Sequence, residues 1–367
     1  NLTDKKDFIM QKIVLTGGGT AGHVTPNIAL LPALQAAGYE IAYVGSYEGI
    51  EKKLIADFNI PYTGISTGKF RRYLDPKNFS DPFRVMKGFV EARNYLKNYQ
   101  PDVVFSKGGF VSVPVVRAAA SLHIPCIIHE SDMTPGLANK LCIPVAEKVC
   151  CNFPETMKNI PADKAVLTGS PIRAELAQGS RLAGLNMCGF TANKPVIMVI
   201  GGSLGAANVN KAVRDALPKL LEDFQVVHLC GKDKIDNLLL NTPGYKQFEY
   251  IKAELKDIFA MADVVISRAG ANAICELLAL KKPNILIPLP AASSRGDQLL
   301  NAASFEAQGY SIVLNEDDIT TNLLVAKVHE LYFNRQNYVD AMSKSHQMDA
   351  VKTIMELINA AADKKTN

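Results

Sequence analysis

The 367-residue chain has no tryptophan, no apolar run long enough to cross a bilayer, and no large excess of one charge. A spanning helix needs about 20 consecutive apolar residues, and the apolar stretch 111–119 is broken by Pro114 and Arg117. The net charge of +4 and the pI near 8.5 argue against a nucleic-acid-binding protein. The first ten residues lack the apolar segment of a signal peptide, so we expect a cytoplasmic location.

Cysteine is present, but in no pattern that indicates a metal site or a disulfide framework. The seven cysteines include no C-x-x-C pair, and most stand inside apolar runs such as 149–151. Apolar surroundings and an odd number of cysteines favour buried, reduced thiols. We therefore expect no structural disulfide.

Short apolar runs alternate with helical patterns along the whole chain, which is typical of parallel sheets with crossover helices. The length suits two domains, so we predict an α/β protein with two doubly wound, Rossmann-like domains, 1–172 and 173–344. The last segment, 345–367, is predicted to be a helix that joins the first domain, and ligands are expected in the cleft between the two domains. The strand-free segment 175–194, with three glycines, is typical of a linker. Thirteen strands are predicted, at 12–16, 40–45, 60–65, 102–106, 126–130, 148–152, 165–168, 196–200, 225–230, 247–251, 263–267, 284–288 and 310–314.

The first glycine-rich turn, 17–23, follows a predicted strand and precedes the predicted helix 26–37. It contains G-x-G-x-x-G, but the next strand ends Val44-Gly45-Ser46 without the carboxylate that holds a dinucleotide ribose. The glycines still let backbone N–H groups approach an anion at a helix N-terminus. His23 lies where the positive end of the helix dipole disfavours an imidazolium, so it is either a general base or a histidine that only shapes the turn.

Three strand-to-turn junctions in the second half together indicate a nucleotide sugar. The turn 201–206 offers backbone N–H groups and the Ser203 hydroxyl to a phosphate, and lacks the Lys-Ser/Thr pair of a P-loop. Glu276, about one turn into its helix, either holds ribose hydroxyls or compensates the helix dipole. The polar segment 295–301 suits sugar hydroxyls, although alone it is also typical of an ordinary helix start.

The chain resembles a known family in the order of its motifs from residue 16 onward: TGGGTAGHVTP, SKGGFVSVP, HESDMTPGLANK, GGSLGA, SRAGANAICELL and RGDQLLNA. It is similar to the MurG family, bacterial enzymes that transfer GlcNAc from UDP-GlcNAc to lipid I and form lipid II in peptidoglycan synthesis. The resemblance covers essentially the whole chain from Lys12. It implies a GT-B fold with UDP-GlcNAc in the C-terminal domain, and the lipid-linked acceptor in the N-terminal domain.

The resemblance also implies roles for individual residues. His23 is the implied catalytic base or acceptor-orienting residue. UDP-GlcNAc binding is implied for Thr20, Ala21, Gly22, Arg173, Ser203, Arg268, Ala271, Glu276 and Gln298. Acceptor binding is implied for Gly18, Gly19, Gly108, Gly109 and Asp132. This chain has Asp297-Gln298 where some members have two glutamines, and His129-Glu130-Ser131-Asp132 where they have HEQN. No D-x-D triplet occurs, so we expect no obligatory metal and no cofactor.

The segment 69–97 concentrates positive charge, with eight basic residues against three acidic ones. Apolar side chains lie between them, and Ser80-Asp81-Pro82 predicts the start of a helix. Basic residues around an apolar stripe are typical of a peripheral anchor on anionic lipid, and also of a crossover helix with a solvated rim. A long-chain lipid acceptor favours docking on the cytoplasmic face of the membrane, where a cell-wall synthesis complex is a further expected partner.

Three alternatives remain at the level of sequence. One is another GT-B enzyme that uses UDP-sugars, such as a glycolipid glycosyltransferase or a UDP-GlcNAc epimerase. The second is a non-catalytic protein that binds a nucleotide sugar, and the last is an NAD-dependent oxidoreductase. Supplying UDP-GlcNAc with and without lipid I separates the first alternative, and UDP binding without transfer would indicate the second.

Overall fold

The computed structural model describes residues 10–68, 81–201, 206–292, 296–345, 347 and 349–366. The chain divides into two compact units. The first unit comprises Asn1–Arg173 and Asp349–Asn367, and the second comprises Ala174–Met348. The sequence predicts this boundary between residues 172 and 173.

The first unit is built on a seven-stranded sheet in which every strand pair is parallel. Its strands are β1 (Lys12–Thr16), β2 (Glu40–Ser46), β3 (Tyr62–Ile65), β4 (Val103–Ser106), β5 (Cys126–Glu130), β6 (Lys148–Cys151) and β7 (Ala165–Leu167). They lie in the order β3-β2-β1-β4-β5-β6-β7. The helices are α1 (Thr25–Ala36), α2 (Ile50–Ile55), α3 (Asp81–Tyr99), α4 (Ser112–Ser121) and α5 (Leu137–Cys142).

Both faces of this sheet are buried, which explains the nearly continuous apolar runs of its strands. Along β1, Val14 packs into one apolar cluster, whereas its neighbours Ile13 and Leu15 pack into the other. Side chains alternate between the faces of a strand, so each strand contributes to two cores. Charged side chains of these strands consequently lie at the strand ends, as Lys12, Glu40, Glu130 and Lys148 do.

The second unit repeats this architecture with six parallel strands. They are β8 (Val196–Ile200), β9 (Gln225–Leu229), β10 (Tyr245–Phe248), β11 (Val264–Ser267), β12 (Asn284–Leu286) and β13 (Ser311–Val313), in the order β10-β9-β8-β11-β12-β13. Its helices are α6 (Arg181–Cys188), α7 (Ala207–Asp223), α8 (Leu255–Met261), α9 (Ala271–Ala279), α10 (Asp297–Ala307), α11 (Thr321–Phe333) and α12 (Arg335–Ser343). The last helix of the chain, α13 (Ala350–Thr366), belongs to the first unit, where Ile354 and Ile358 are fully buried.

Each of the thirteen predicted strands overlaps a strand of the structure, with ends that shift by at most two residues except in β10, which ends three residues early and overlaps its prediction only at 247–248. The linker predicted at 175–194 is wrong, because this segment contains α6. Ser180 caps that helix by accepting the N–H of Ala183, and Gly189 ends it in the left-handed conformation. Gly184 permits close packing, since a Cβ there would lie 2.5 Å from the Asp257 carbonyl oxygen.

The seven cysteines are free and buried, as the sequence predicts: Cys126, Cys142, Cys150, Cys151, Cys188, Cys230 and Cys275. Burial raises the pKa of the Cys188 thiol to about 11 and that of Cys142 to about 12. Within the residues that the structure describes, every helix is too short or too polar to cross a membrane.

Candidate functional site

The polar loops of the first unit follow the carboxyl ends of β1, β4 and β5, which are neighbours in the sheet. We call residues 17–24 the first glycine loop and residues 107–111 the second glycine loop. The N–H of Gly18 donates to the Gly108 carbonyl (3.3 Å), and the N–H of Lys107 donates to the Thr16 carbonyl (2.9 Å). A Cβ on Gly109, which has a φ of +86°, would lie 2.3 Å from the Gly18 oxygen. The two loops therefore meet through their backbones, where a side chain has no room.

A buried carboxylate, Glu51 of α2, forms hydrogen bonds with the first glycine loop and with the end of β2. It accepts the N–H groups of Gly19 (3.2 Å) and Ser46 (2.9 Å), and its side chain has no exposed surface. A Cβ on Gly18 would lie 2.5 Å from its carboxyl carbon. Sequence reasoning missed Glu51, because a glutamate at the start of a short helix is ordinarily a solvent-exposed residue.

His23 closes the first glycine loop, in a short 3-10 turn before α1. Its Nδ1 lies 3.0 Å from the Gly18 carbonyl oxygen and 3.2 Å from Thr20 Oγ1. Because a carbonyl can only accept a hydrogen bond, the neutral ring carries its proton on Nδ1 and the lone pair on Nε2. Burial and, next, the charge of Lys107 lower the pKa of His23 to about 4, against opposing effects of the Gly18 hydrogen bond and Glu51. The neutrality predicted from the helix dipole thus has burial as its largest cause.

The loop after β5 is organised by a second buried carboxylate, Glu130. It accepts the N–H groups of Asp132 (2.8 Å) and Gly136 (3.0 Å) and the amide of Asn139 (2.8 Å). These bonds hold the backbone of Asp132 in place next to the glycine loops. Whether the Asp132 side chain contacts an acceptor stays a prediction.

In the second unit, the expected phosphate turn lies largely outside the described residues, since 202–205 include Ser203. The helix that follows, α7, begins at Ala207. Near its start, the amide of Asn208 donates to Glu316 (2.5 Å). Glu316 also forms a buried ion pair with Arg268, whose Nη1 donates to the carbonyls of Ile287 (3.0 Å) and Pro288 (3.3 Å).

In this network the guanidinium of Arg268 binds other groups of the protein, namely Glu316 and two backbone carbonyls. It joins the end of β11, the segment after β12 and the start of α7, which are the three places that flank the predicted donor site. Sequence reasoning selected Arg268 as a donor ligand and did not foresee Glu316. The described contacts favour an indirect role, in which Arg268 positions the turns around the donor.

Gln298, in the first turn of α10, has a defined orientation. Its Oε1 accepts the backbone N–H groups of Ala269 (3.3 Å) and Leu289 (3.1 Å). Because its oxygen accepts these two bonds, the side chain can offer its NH₂ group to a ligand.

The other predicted donor residues lie on separate elements. Ala271 begins α9, and the half-buried Glu276 lies within the same helix. In the first unit, the Nε of Arg173 is buried and has no hydrogen-bond partner among the described residues.

The helix α3 exposes an apolar face. Phe83, Met86 and Val90 are 78%, 63% and 51% exposed, whereas Ala92 and Leu96 are buried in the core. The helix therefore carries one apolar stripe toward the sheet and a second one toward solvent. The remaining part of the predicted basic segment, 69–80, lies outside the described residues.

Comparison with known proteins gives full-length matches. The models of the glycosyltransferase family 28 N-terminal and C-terminal domains match residues 13–151 and 196–358. A UDP-N-acetylglucosamine–N-acetylmuramyl-(pentapeptide) pyrophosphoryl-undecaprenol N-acetylglucosamine transferase of Lachnospira eligens is 65% identical over 349 residues, which are 95% of this chain and 99% of that protein. A transferase of the same name from Clostridium botulinum is 58% identical over the same shares.

Solved structures agree on the fold. The crystal structure of Acinetobacter baumannii MurG has a TM-score of 0.75 and 28% identity, covering 95% of this chain and 99% of that one. A UDP-GlcNAc 2-epimerase from Neisseria meningitidis has a TM-score of 0.67 at 14% identity and the same coverage, a likeness of fold alone. The two parallel-sheet units are thus those of a GT-B glycosyltransferase.

The family follows from the matches over nearly the whole chain. The chain belongs to glycosyltransferase family 28, and within it to the family of UDP-N-acetylglucosamine–N-acetylmuramyl-(pentapeptide) pyrophosphoryl-undecaprenol N-acetylglucosamine transferases.

Proposed function

We propose that this protein transfers GlcNAc from UDP-GlcNAc to the MurNAc 4-hydroxyl of undecaprenyl-diphosphate-linked MurNAc-pentapeptide, and so converts lipid I to lipid II. The observation that carries the proposal is the 65% identity, over 99% of its length, to a curated transferase of that name. The epimerase alternative has only a likeness of fold in its favour.

The chemistry is a single displacement that inverts the anomeric carbon. Nε2 of His23 takes the proton of the acceptor hydroxyl while its oxygen bonds to the anomeric carbon. The bond from that carbon to the β-phosphate oxygen breaks, and UDP leaves with the electron pair. Arg173 and the N–H groups at the start of α7 stabilise the departing diphosphate. The lone pair on Nε2, inferred from the bond between Nδ1 and Gly18, supports the role of His23.

The two substrates bind to different loops in this proposal. Acceptor binding falls to the glycine loops and the following polar loop: Gly18, Gly19, Gly108, Gly109 and Asp132. Donor binding falls to Thr20, Ala21, Gly22, Arg173, Ser203, Ala271, Glu276 and Gln298, with Arg268 acting through its ion pair. The shared-backbone contact of the two glycine loops and the fixed orientation of Gln298 support this division.

The decisive experiment supplies UDP-GlcNAc and a soluble lipid I analogue to the protein and to His23→Ala. We expect the wild type to form the β-linked disaccharide and the variant to lose at least 100-fold in kcat, as for removal of a general base. UDP binding without transfer would contradict the function, and near-normal turnover of His23→Ala would contradict the base. Activity that survives a chelator is expected, because the sequence has no D-x-D triplet.

We also propose that α3 docks on the cytoplasmic face of the membrane. A cell-wall synthesis complex at that surface is a further proposed partner. The solvent-exposed Phe83, Met86 and Val90, with Arg84 and Lys87 beside them, support this proposal. Co-sedimentation with phosphatidylglycerol vesicles should fall for Phe83→Ser/Met86→Ser and in high salt. Unchanged binding in both conditions would refute docking through this face.

A further inference from the structure

Lys107 is a buried lysine in the second glycine loop for which the proposed reaction gives no role. Its residue is 1% exposed, directly after β4. Its ammonium donates to the hydroxyl of Ser131, in the loop after β5. Removing an ammonium from water costs several kcal/mol unless polar or charged partners compensate it, and Ser131 is one such partner of Lys107.

The lysine lies against the loop that carries His23. A Cβ on Gly17 would be 3.2 Å from the Lys107 Cβ and 2.5 Å from the His23 carbonyl oxygen, so Gly17 is packed between the two residues. The Lys107 charge is the largest electrostatic cause that lowers the pKa of His23, after burial, and it also lowers the pKa of His129.

Among the described residues, the charged side chains that shift the pKa of His23 are Lys107 and Glu51. From α2, Glu51 raises the pKa of His23 and so opposes Lys107. From β5, His129 is fully buried, and its own pKa is lowered chiefly by burial. The hydrogen-bond partners of the ring, the Gly18 carbonyl and the Thr20 hydroxyl, are uncharged. Of these groups, Lys107 is the one that acts on His23 as a cation when both imidazoles are neutral.

Both substrates of the proposed reaction carry a diphosphate. Anions bound at the glycine loops would favour the imidazolium by about ten-fold to a thousand-fold, since a nearby opposite charge shifts a pKa by about 1–3 units. A protonated His23 could not accept the acceptor proton. A fixed positive charge beside the ring opposes this effect.

We propose that Lys107 is a positioning residue that acts through His23: its buried ammonium offsets the negative charge of the diphosphate substrates at the imidazole, so that His23 meets the acceptor hydroxyl unprotonated. Ser131 holds the ammonium in place. The inference rests on the proposed function, because that function brings the diphosphates to His23, whereas the coupling between Lys107 and His23 belongs to the free protein as well.

The first experiment needs no substrate. Histidine NMR titrations of the full chain compare the wild type with Lys107→Met, Lys107→Gln and Lys107→Arg, with His23→Gln assigning the resonance. We expect the pKa of His23 to rise by about one unit in the Met and Gln variants and to stay in the Arg variant. The exposed Lys53→Met is the matched control, and the His329 titration in the second unit is the reference that should not change. An unchanged pKa in Lys107→Met or Lys107→Gln would overturn the proposal.

The second experiment measures kcat against pH, which reports the substrate complex. The acid limb of kcat should move to higher pH by about one unit in Lys107→Met and return in Lys107→Arg. A fall in kcat that is equal at every pH would show a merely structural lysine and overturn the proposal. Absent transfer by the wild type would instead refute the proposed function, while the NMR result would still decide the coupling.

Discussion

Replacing Gly109 by alanine tests whether the contact of the two glycine loops serves acceptor use. The new Cβ would lie 2.3 Å from the Gly18 oxygen, below the 3.0 Å that real contacts respect, so the loops must separate by about 0.7 Å or more. The left-handed φ of +86° adds about 1–2 kcal/mol of strain. A misplacement of about 1 Å in an active site can cost a factor of about 100.

We therefore expect Gly109→Ala to lower kcat/KM for a lipid I analogue by about 10- to 100-fold, with the KM for UDP-GlcNAc little changed. Gly38→Ala is the matched control, because Gly38 has a φ of +80° and no atom within 4 Å of an added Cβ. It should lower the Tm by a few degrees, as the strain alone predicts, and leave the kinetics intact. Equal kinetics for both variants would refute the reasoning that the loop contact positions the acceptor.

Three further predictions concern the second unit. Gln298→Glu keeps the acceptor oxygen of the side chain but loses its NH₂ donor, so the KM for UDP-GlcNAc should rise at least tenfold with little change in Tm, and an unchanged KM would contradict the assigned orientation. Burial lowers the pKa of His228 to about 3; below pH 6.5 the unfolded chain therefore binds a proton that the folded one does not, and this histidine should cost about 1 kcal/mol of stability between pH 6.5 and 5.5. Urea unfolding should show this pH dependence, and His228→Gln should reduce it by about 1 kcal/mol over the same range, since the buried His23 and His129 contribute the remainder. Ser180→Ala removes the cap of α6 and should cost about 1 kcal/mol in the same assay, whereas no change would mean that the cap is dispensable.

The sequence predicted the strands well because both sheets are covered on both faces. The inner strands of such a sheet are short apolar runs, as in 196–200, whereas edge strands such as β10, with the sequence YKQF, are more polar and their ends were predicted less well. The glycines of 175–194 did not distinguish a linker from a helix, because glycine occurs both in irregular segments and where a helix packs closely against a neighbour. The position of Gly184 against Asp257, which distinguishes the two uses, depends on a contact far along the chain.

The candidate site was predictable where glycines and their neighbours are adjacent in sequence, as around His23. It was not predictable where buried charges act across loops. Glu51, Lys107 and Glu316 resemble ordinary surface residues in the sequence, because periodicity records apolar side chains only. Their roles depend on which strand ends lie side by side, and that order, with β1 between β2 and β4, is set by the folded sheet.

The buried thiols make the protein a convenient host for site-directed labelling. A thiol with a pKa near 11, as at Cys188, is about one part in a thousand thiolate at pH 8, and maleimides react with the thiolate. An introduced cysteine at the exposed Lys87 would have an ordinary pKa near 8.5 and free access. A fluorophore could thus be placed on α3 with all seven native cysteines retained, and its emission would report directly on contact with a vesicle.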